Sequence, residues 1–136
     1  MYSEETAACS YDAFRRACPS HAVLETLSGK WTYLIICALK QRSLRNSELS
    51  RKIEGISPKM LSQTLRSLEL DGLVTRTVFA EVPPRVEYAL TGLGQELAAL
   101  VDHIRSWAET HMPEIAAARA ARGAAGRGAP ERPVTD

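Results

Sequence analysis

The sequence predicts a mainly α fold with one small β-hairpin, on three observations. Apolar residues recur at helical spacing along most of the chain. Two stop signals, Gly55-Ile56-Ser57-Pro58 and Asp71-Gly72, bracket one amphipathic helix. Directly after it, two short runs rich in β-branched and aromatic residues flank Pro83-Pro84. A length of 136 residues fits one compact domain with an added arm or tail. A hydrophobic content of 45% is enough for a small core.

The elements follow in order. Tyr11, Phe14 and Cys18 are spaced as on a helix, so a short amphipathic helix is expected before Pro19, within an N-terminal arm of residues 1–20. A second short helix is expected from His21 to Leu27, ended by Gly29. The apolar stretch Lys30–Leu39 suits a buried helix or a buried strand by length. Helix is preferred because Trp31, Leu34, Ile35, Ala38 and Leu39 form one stripe. Arg45 to Glu54 forms the next helix, with Leu49 and Ile53 inward and Gly55 ending it at positive φ. Ser57 caps the following helix and Pro58 occupies its first position. That helix runs to Asp71, Gly72 closes it, and Leu73 folds back onto Leu68.

Val74–Phe79 and Val86–Leu90 read as strands. Pro83 and Pro84 cannot continue a ladder and mark the hairpin tip. Thr91 caps a long helix reaching about His111, with Pro113 near its end. Leu93, Leu97, Leu100, Ile104 and Trp107 make a continuous apolar stripe on it. From Ala116 the composition turns to Ala, Arg, Gly and Pro without a periodic apolar face, so residues 115–136 are expected to be a disordered tail. Its arginines could brush nucleic acid or simply be solvated.

Several function classes lack support. Net charge is only +1, so any nucleic-acid reading must rest on where the charges sit. No apolar run approaches the ~18 residues of a membrane span. Met1-Tyr2-Ser3-Glu4-Glu5 lacks a signal pattern, so a cytoplasmic protein without membrane contact is expected. Cys9, Cys18 and Cys37 fit no zinc spacing and read as free thiols. Neither a catalytic triad, a glycine-rich phosphate loop nor a metal cluster is present, so neither an enzyme nor a cofactor is expected.

The order helix, helix, tight turn, helix, strand, proline tip, strand is that of a winged helix-turn-helix. In the helix from Ser57 to Asp71, Leu61, Leu65 and Leu68 share a narrow arc. The opposite arc carries Lys59, Gln63 and Arg66, flanked by Ser62. These are long donors and acceptors suited to base edges and phosphates in a major groove. From Arg45 to Arg66 the local charge is +3. Arg76 and Arg85 on the hairpin are placed to reach a DNA backbone or minor groove. The expected DNA-binding set is therefore Arg45, Ser57, Lys59, Ser62, Gln63, Arg66, Arg76 and Arg85. Leu70 falls on the polar arc, where it could pack under the wing or at a dimer contact. The alternative is a winged helix that binds only another protein through the same face.

The chain resembles the HxlR-type family, a branch of the MarR-like winged-helix regulators of bacteria. The resemblance rests on Cys18-Pro19, Gly29-Lys30-Trp31, Ser47-Glu48-Leu49, Gly55-Ile56-Ser57-Pro58-Lys59-Met60-Leu61 and Leu65-Arg66-Ser67-Leu68-Glu69. It continues through Asp71-Gly72-Leu73-Val74-Thr75-Arg76, Val82-Pro83-Pro84-Arg85-Val86-Glu87-Tyr88 and Leu90-Thr91, and covers about Cys18 to Trp107. Asn46 departs from it, since the family usually has an aromatic after Arg45. The resemblance implies a homodimeric regulator, a repressor or an activator, on a roughly palindromic double-stranded DNA operator. It also implies dimer contacts from terminal helices. The residues agree: a single small domain cannot easily bury both faces of the 92–114 helix, so Leu93, Leu97, Leu100, Ile104 and Trp107 are expected at a dimer contact.

In some members of the family, a cysteine in the position of Cys18 senses electrophiles or oxidants, which makes a small electrophile, quinone or oxidant a candidate inducer. Here Arg15, Arg16 and His21 surround Cys18 in sequence, and nearby cations favour thiolate. The other reading of Cys18 is a small buried hydrophobe. Cys9 could be a second reactive thiol, and Cys37 reads as inert core.

Overall fold

Two positive-φ glycines, Gly55 at +90° and Gly72 at +74°, bracket the amphipathic segment 56–71. The computed structural model describes residues 10–128. Its elements are α1 (Pro19–Leu27), α2 (Lys30–Leu39), β1 (Leu44–Arg45), α3 (Asn46–Lys52), α4 (Pro58–Leu70), β2 (Val74–Phe79), β3 (Arg85–Leu90) and α5 (Gly92–Gly128). Residues up to Val101 form one compact unit, and the segment from Asp102 forms a second. The fold is a winged helix-turn-helix, as the sequence predicts. No single described helix is long and apolar enough to cross a membrane.

The core is built from one face of each helix. Ile35, Ile36, Leu49, Leu61, Leu65 and Leu68 are fully enclosed, each contributing about 1.5–3 kcal/mol by burial. The α2 stripe differs from the expected one. Ile36 is sealed in the core while Leu34 is exposed, because α2 is covered on a broader arc than a single stripe.

Local chemistry sets the helix ends. Ser57 Oγ accepts the Met60 N–H at 3.1 Å, and Pro58 follows at the first position of α4. At the far end the Leu73 N–H bonds Leu68 O and the Gly72 N–H bonds Glu69 O, each at 3.0 Å. That pair of bonds turns the chain sharply into β2, and Gly72 takes the left-handed conformation the turn requires. α3 is shorter than expected: it closes at Lys52 with extended Ile53, and Gly55 lies two residues beyond that cap.

The sheet has the order β1-β3-β2, all antiparallel. Its hairpin pairs Val74 with Leu90 and Phe79 with Arg85, leaving residues 80–84 as the tip. Leu44 pairs with Tyr88 and Arg45 with Glu87, so the wing gains a third, two-residue strand that sequence periodicity did not reveal.

Thr91 caps α5 as expected. Its Oγ1 accepts the Gly94 N–H at 3.0 Å and donates to Gly72 O at 2.7 Å, and its N–H donates to Leu73 O at 3.0 Å. Gly94, Ala98 and Val101 face the core, with Leu97 partly buried against it.

Two expectations are corrected. Residues 10–18 form turns rather than a helix, with Tyr11 72% and Phe14 97% exposed, so their spacing marks no buried face. The terminal helix does not stop near Pro113; it passes through it to Gly128. Residues 115–128 are rich in alanine and arginine, both strong helix formers, and that propensity needs no apolar stripe. The remainder of the expected tail, residues 129–136, lies outside the described residues. Within the segment from Asp102, Arg105 bridges Asp102 at 2.7 Å and Glu109 at 2.9 Å, which raises the guanidinium pKa further. The Trp107 and His111 rings meet at a tilt of 39° with centroids 4.8 Å apart.

Candidate nucleic-acid interface

α4 buries Leu61, Leu65 and Leu68 and leaves its opposite face open. Lys59, Ser62, Gln63 and Arg66 are all exposed on that face. None of them makes a side-chain hydrogen bond or ion pair with another described residue. Ser57 differs, because its hydroxyl is committed to the helix cap. Leu70 is 78% exposed on the same arc and packs under nothing.

Arg45 sits between α3 and the wing. Its N–H donates to Glu48 Oε1 at 2.9 Å, and its Nε lies 3.6 Å from the same oxygen. Arg42 adds a 3.0 Å bond to Glu48 Oε2. These contacts, led by the Arg45 N–H and then Arg42, hold the Glu48 carboxyl down at about 2. Sequence reading missed Arg42 and Glu48; an acid three residues after the helix-initiating Arg45 is the capping signal that identifies them.

Arg45 and Arg85 line one open groove of about 520 Å³, together with the wing-tip residues 81–84. Arg85 is not free within it. It meets Glu87 at 2.9 Å, its Nε faces Glu81 at 3.4 Å outside hydrogen-bond geometry, and its guanidinium stacks on Phe79 at 4.1 Å. Arg76, opposite Tyr88 on β2, is exposed and without a described ion-pair partner. The structure thus gathers Lys59, Ser62, Gln63 and Arg66 on α4 and brings Arg45 to the wing. It ties Arg85 into the wing itself.

Cys18 is the N-cap residue of α1 and is half-buried. Its Sγ lies 3.0 Å from Ser20 Oγ and accepts the Asp12 N–H at 3.2 Å. The Ser20 contact first and the Asp12 N–H second lower the thiol pKa. The cations expected to do so are not the cause. His21 Nδ1 is bonded instead to Ala13 O at 2.7 Å. Cys37 is half-buried against the core, and Cys9 lies outside the described residues.

On the expected dimer stripe of α5, Leu93, Leu100, Ile104 and Trp107 are exposed, Leu100 by 66%, while Leu97 packs partly on the core.

An exposed polar recognition helix, a preceding helix set across a tight turn and a three-stranded wing define the class: a helix-turn-helix protein of the winged, MarR-like kind. Residues 26–116 match the model of the HxlR-like helix-turn-helix family, and the chain belongs to that family. It is 43% identical over 111 residues, 82% of this chain and 88% of the relative, to the uncharacterized HTH-type transcriptional regulator YtfH of Escherichia coli (strain K12). The solved structure of YtfH from Salmonella typhimurium is similar at a TM-score of 0.77 and 40% identity, covering 81% of this chain and 98% of that one. The redox regulator HypR in its oxidized form is similar at a TM-score of 0.63 and 36% identity, covering 68% of this chain and 96% of that one.

Proposed function

We propose that the protein regulates transcription by binding a palindromic double-stranded DNA operator as a homodimer. Repression follows where that site overlaps a promoter. The observation that carries this reading is the set Lys59, Ser62, Gln63 and Arg66, exposed without described partners on the face of α4 opposite its buried leucines. Side chains left without internal partners are available to base edges and phosphates. Arg45 and Arg76 supply backbone contacts beside them. The exposed residues Leu93, Leu100, Ile104 and Trp107 support a dimer contact along α5, which places two recognition helices on successive half-sites.

Cys18 supports a response to an oxidant or a quinone. Its lowered pKa raises the thiolate fraction. A thiolate adds to an electrophilic quinone carbon, and the ring takes up a proton as it becomes a hydroquinone thioether. The likeness to a redox regulator agrees with this reading.

The test is selection of genomic fragments by the purified protein, followed by titration of the selected operator. Gln63→Ala and Arg66→Ala are each expected to weaken binding by about 1–3 kcal/mol and to relax sequence preference. Unchanged affinity in both variants overturns the assignment of this face.

A further inference from the structure

The DNA contacts assigned to α4 and the wing leave the Gly29-Lys30-Trp31 stretch at the start of α2 without a partner. Lys30 is exposed, and its Nζ rests 4.2 Å from the centroid of the Trp31 ring. No carboxylate pairs with it among the described residues. An aromatic face attracts an ammonium but cancels none of its charge. Lys30 is therefore held in place and still fully cationic. In this it differs from Arg45 and Arg85, which are tied to acids.

The indole that carries Lys30 is itself set against the helix-turn-helix. A Cβ added at Gly55, in the turn before α4, would lie 3.8 Å from the ring's Cη2. The same ring lines a recess of about 270 Å³ together with Met60, Gln63, Thr64 and Ser67 of α4. Those four positions are spaced three, four and seven residues from the first, so they form one flank of α4. Gln63 belongs both to this flank and to the exposed polar face. No aspartate or glutamate lines the recess.

A helix about 10–12 Å across with its side chains fills a major groove about 12 Å wide. With the polar face of α4 on the base edges, its flanks meet the sugar-phosphate walls. We propose that Lys30, steadied on Trp31 beside this flank, contacts a backbone phosphate at that wall, extending the DNA footprint from α4 to the start of α2. The inference rests on the DNA-binding reading and adds a contact outside α4 and the wing. An ammonium is a compact point charge, so this contact carries no sequence information. It fixes the register of α4 in the groove, and Gln63 and Arg66 keep the base edges. Trp31 is the positioning residue, since without the ring the flexible lysine stem has nothing to hold its ammonium at the recess.

The experiment titrates the full chain and Lys30→Gln with the selected operator carrying single methylphosphonates, each of which removes one phosphate charge. In wild type a methylphosphonate at the contacted phosphate of a half-site is expected to weaken binding, and in Lys30→Gln the same substitution is expected to cost nothing. Between about 50 and 200 mM salt, wild type is expected to lose about threefold more affinity per bound subunit than Lys30→Gln. Sequence preference is expected to be the same in both. Trp31→Phe keeps an aromatic face and is expected to keep the methylphosphonate penalty, whereas Trp31→Leu loses it with helicity unchanged by circular dichroism. Lys30 is exposed, so Lys30→Gln decides the phosphate contact even where Trp31→Leu does not fold. Wild-type salt dependence in Lys30→Gln, or no methylphosphonate whose cost disappears in it, overturns the proposal. A penalty that survives in folded Trp31→Leu overturns the positioning role of the ring. A wild type that binds no DNA fragment removes the DNA-binding reading itself, whereas binding that Gln63→Ala weakens and Lys30→Gln does not removes only the Lys30 contact.

Discussion

Replacing Gly94 by alanine sets two effects of known size against each other. An alanine inside a helix is favoured over glycine by about 1 kcal/mol. Here, however, the added Cβ collides with the Leu73 carbonyl oxygen and crowds Leu90 Cδ2 at 3.2 Å. The obstacle is backbone, held in place by the Thr91 N–H at 3.0 Å, so it cannot swing aside. Overpacking of this kind costs about 1–3 kcal/mol. Moving α5 outward to relieve it also strains the Thr91 cap on Gly94, worth about 1 kcal/mol. The steric and capping losses exceed the propensity gain, and a net destabilisation of about 1–3 kcal/mol is expected. In a domain of this size that lowers Tm by at least about 4 °C. Thermal and urea unfolding followed by circular dichroism measure it. Gly123→Ala is the control: nothing lies within 4 Å of its Cβ position, so it is expected to raise helicity. A Gly94→Ala protein as stable as wild type would show that α5 does not approach the Leu73 carbonyl this closely, and the reasoning would fail.

Three further outcomes are expected. Glu48, with its carboxyl at about 2 against an ordinary 4.5, stabilises the fold above pH 4.5 and loses that contribution as pH falls toward 2. The difference in urea midpoint between wild type and Glu48→Gln should therefore shrink across that window, and a difference independent of pH contradicts the bonding described. Ser20→Ala removes the largest cause of the lowered Cys18 pKa, so the pH profile of Cys18 alkylation should move to higher pH; an unmoved profile assigns the effect elsewhere. Arg76→Ala should flatten the salt dependence of operator binding by about one unit. Arg85→Ala should change that slope little, because Glu81 and Glu87 already balance its charge; the reverse ranking would restore Arg85 as a phosphate contact.

Most of the fold was legible because its boundaries are written in residues with one dominant conformational role. Gly72 needs a left-handed turn, Ser57-Pro58 starts a helix, and Pro83-Pro84 interrupts a ladder. The misses have equally specific causes. β1 is two residues long, too short for any periodicity, and exists because Leu44 and Arg45 pair with Tyr88 and Glu87, 44 and 42 positions further along the chain. The spacing of Tyr11, Phe14 and Cys18 suggested a helix, but a turn network of backbone bonds and the Cys18 thiol claims that segment first. The helix through Pro113 was obscured because a proline and an alanine-rich composition both read as an ending, while alanine and arginine propensity carries the helix on.

The candidate interface shows where residue type stops being informative. Lys59, Gln63 and Arg66 could be placed from the sequence because one helix fixes their common face. Arg85 could not, because its role depends on partners set by the hairpin register. Pairing Phe79 with Arg85 puts the ring under the guanidinium, and the tip and strand bring Glu81 and Glu87 to it. An arginine flanked by two acids presents little net charge to a phosphate, but it braces the wing tip that lines the groove with Arg45. The chemical division that results is between free side chains and tied ones. Lys59, Gln63, Arg66 and Arg76 can exchange water for nucleic acid without breaking an internal bond, whereas Arg45 and Arg85 must first give up part of Glu48, Glu81 or Glu87. On the proposed reading, discrimination among DNA sequences falls to α4, and the wing contributes shape and orientation.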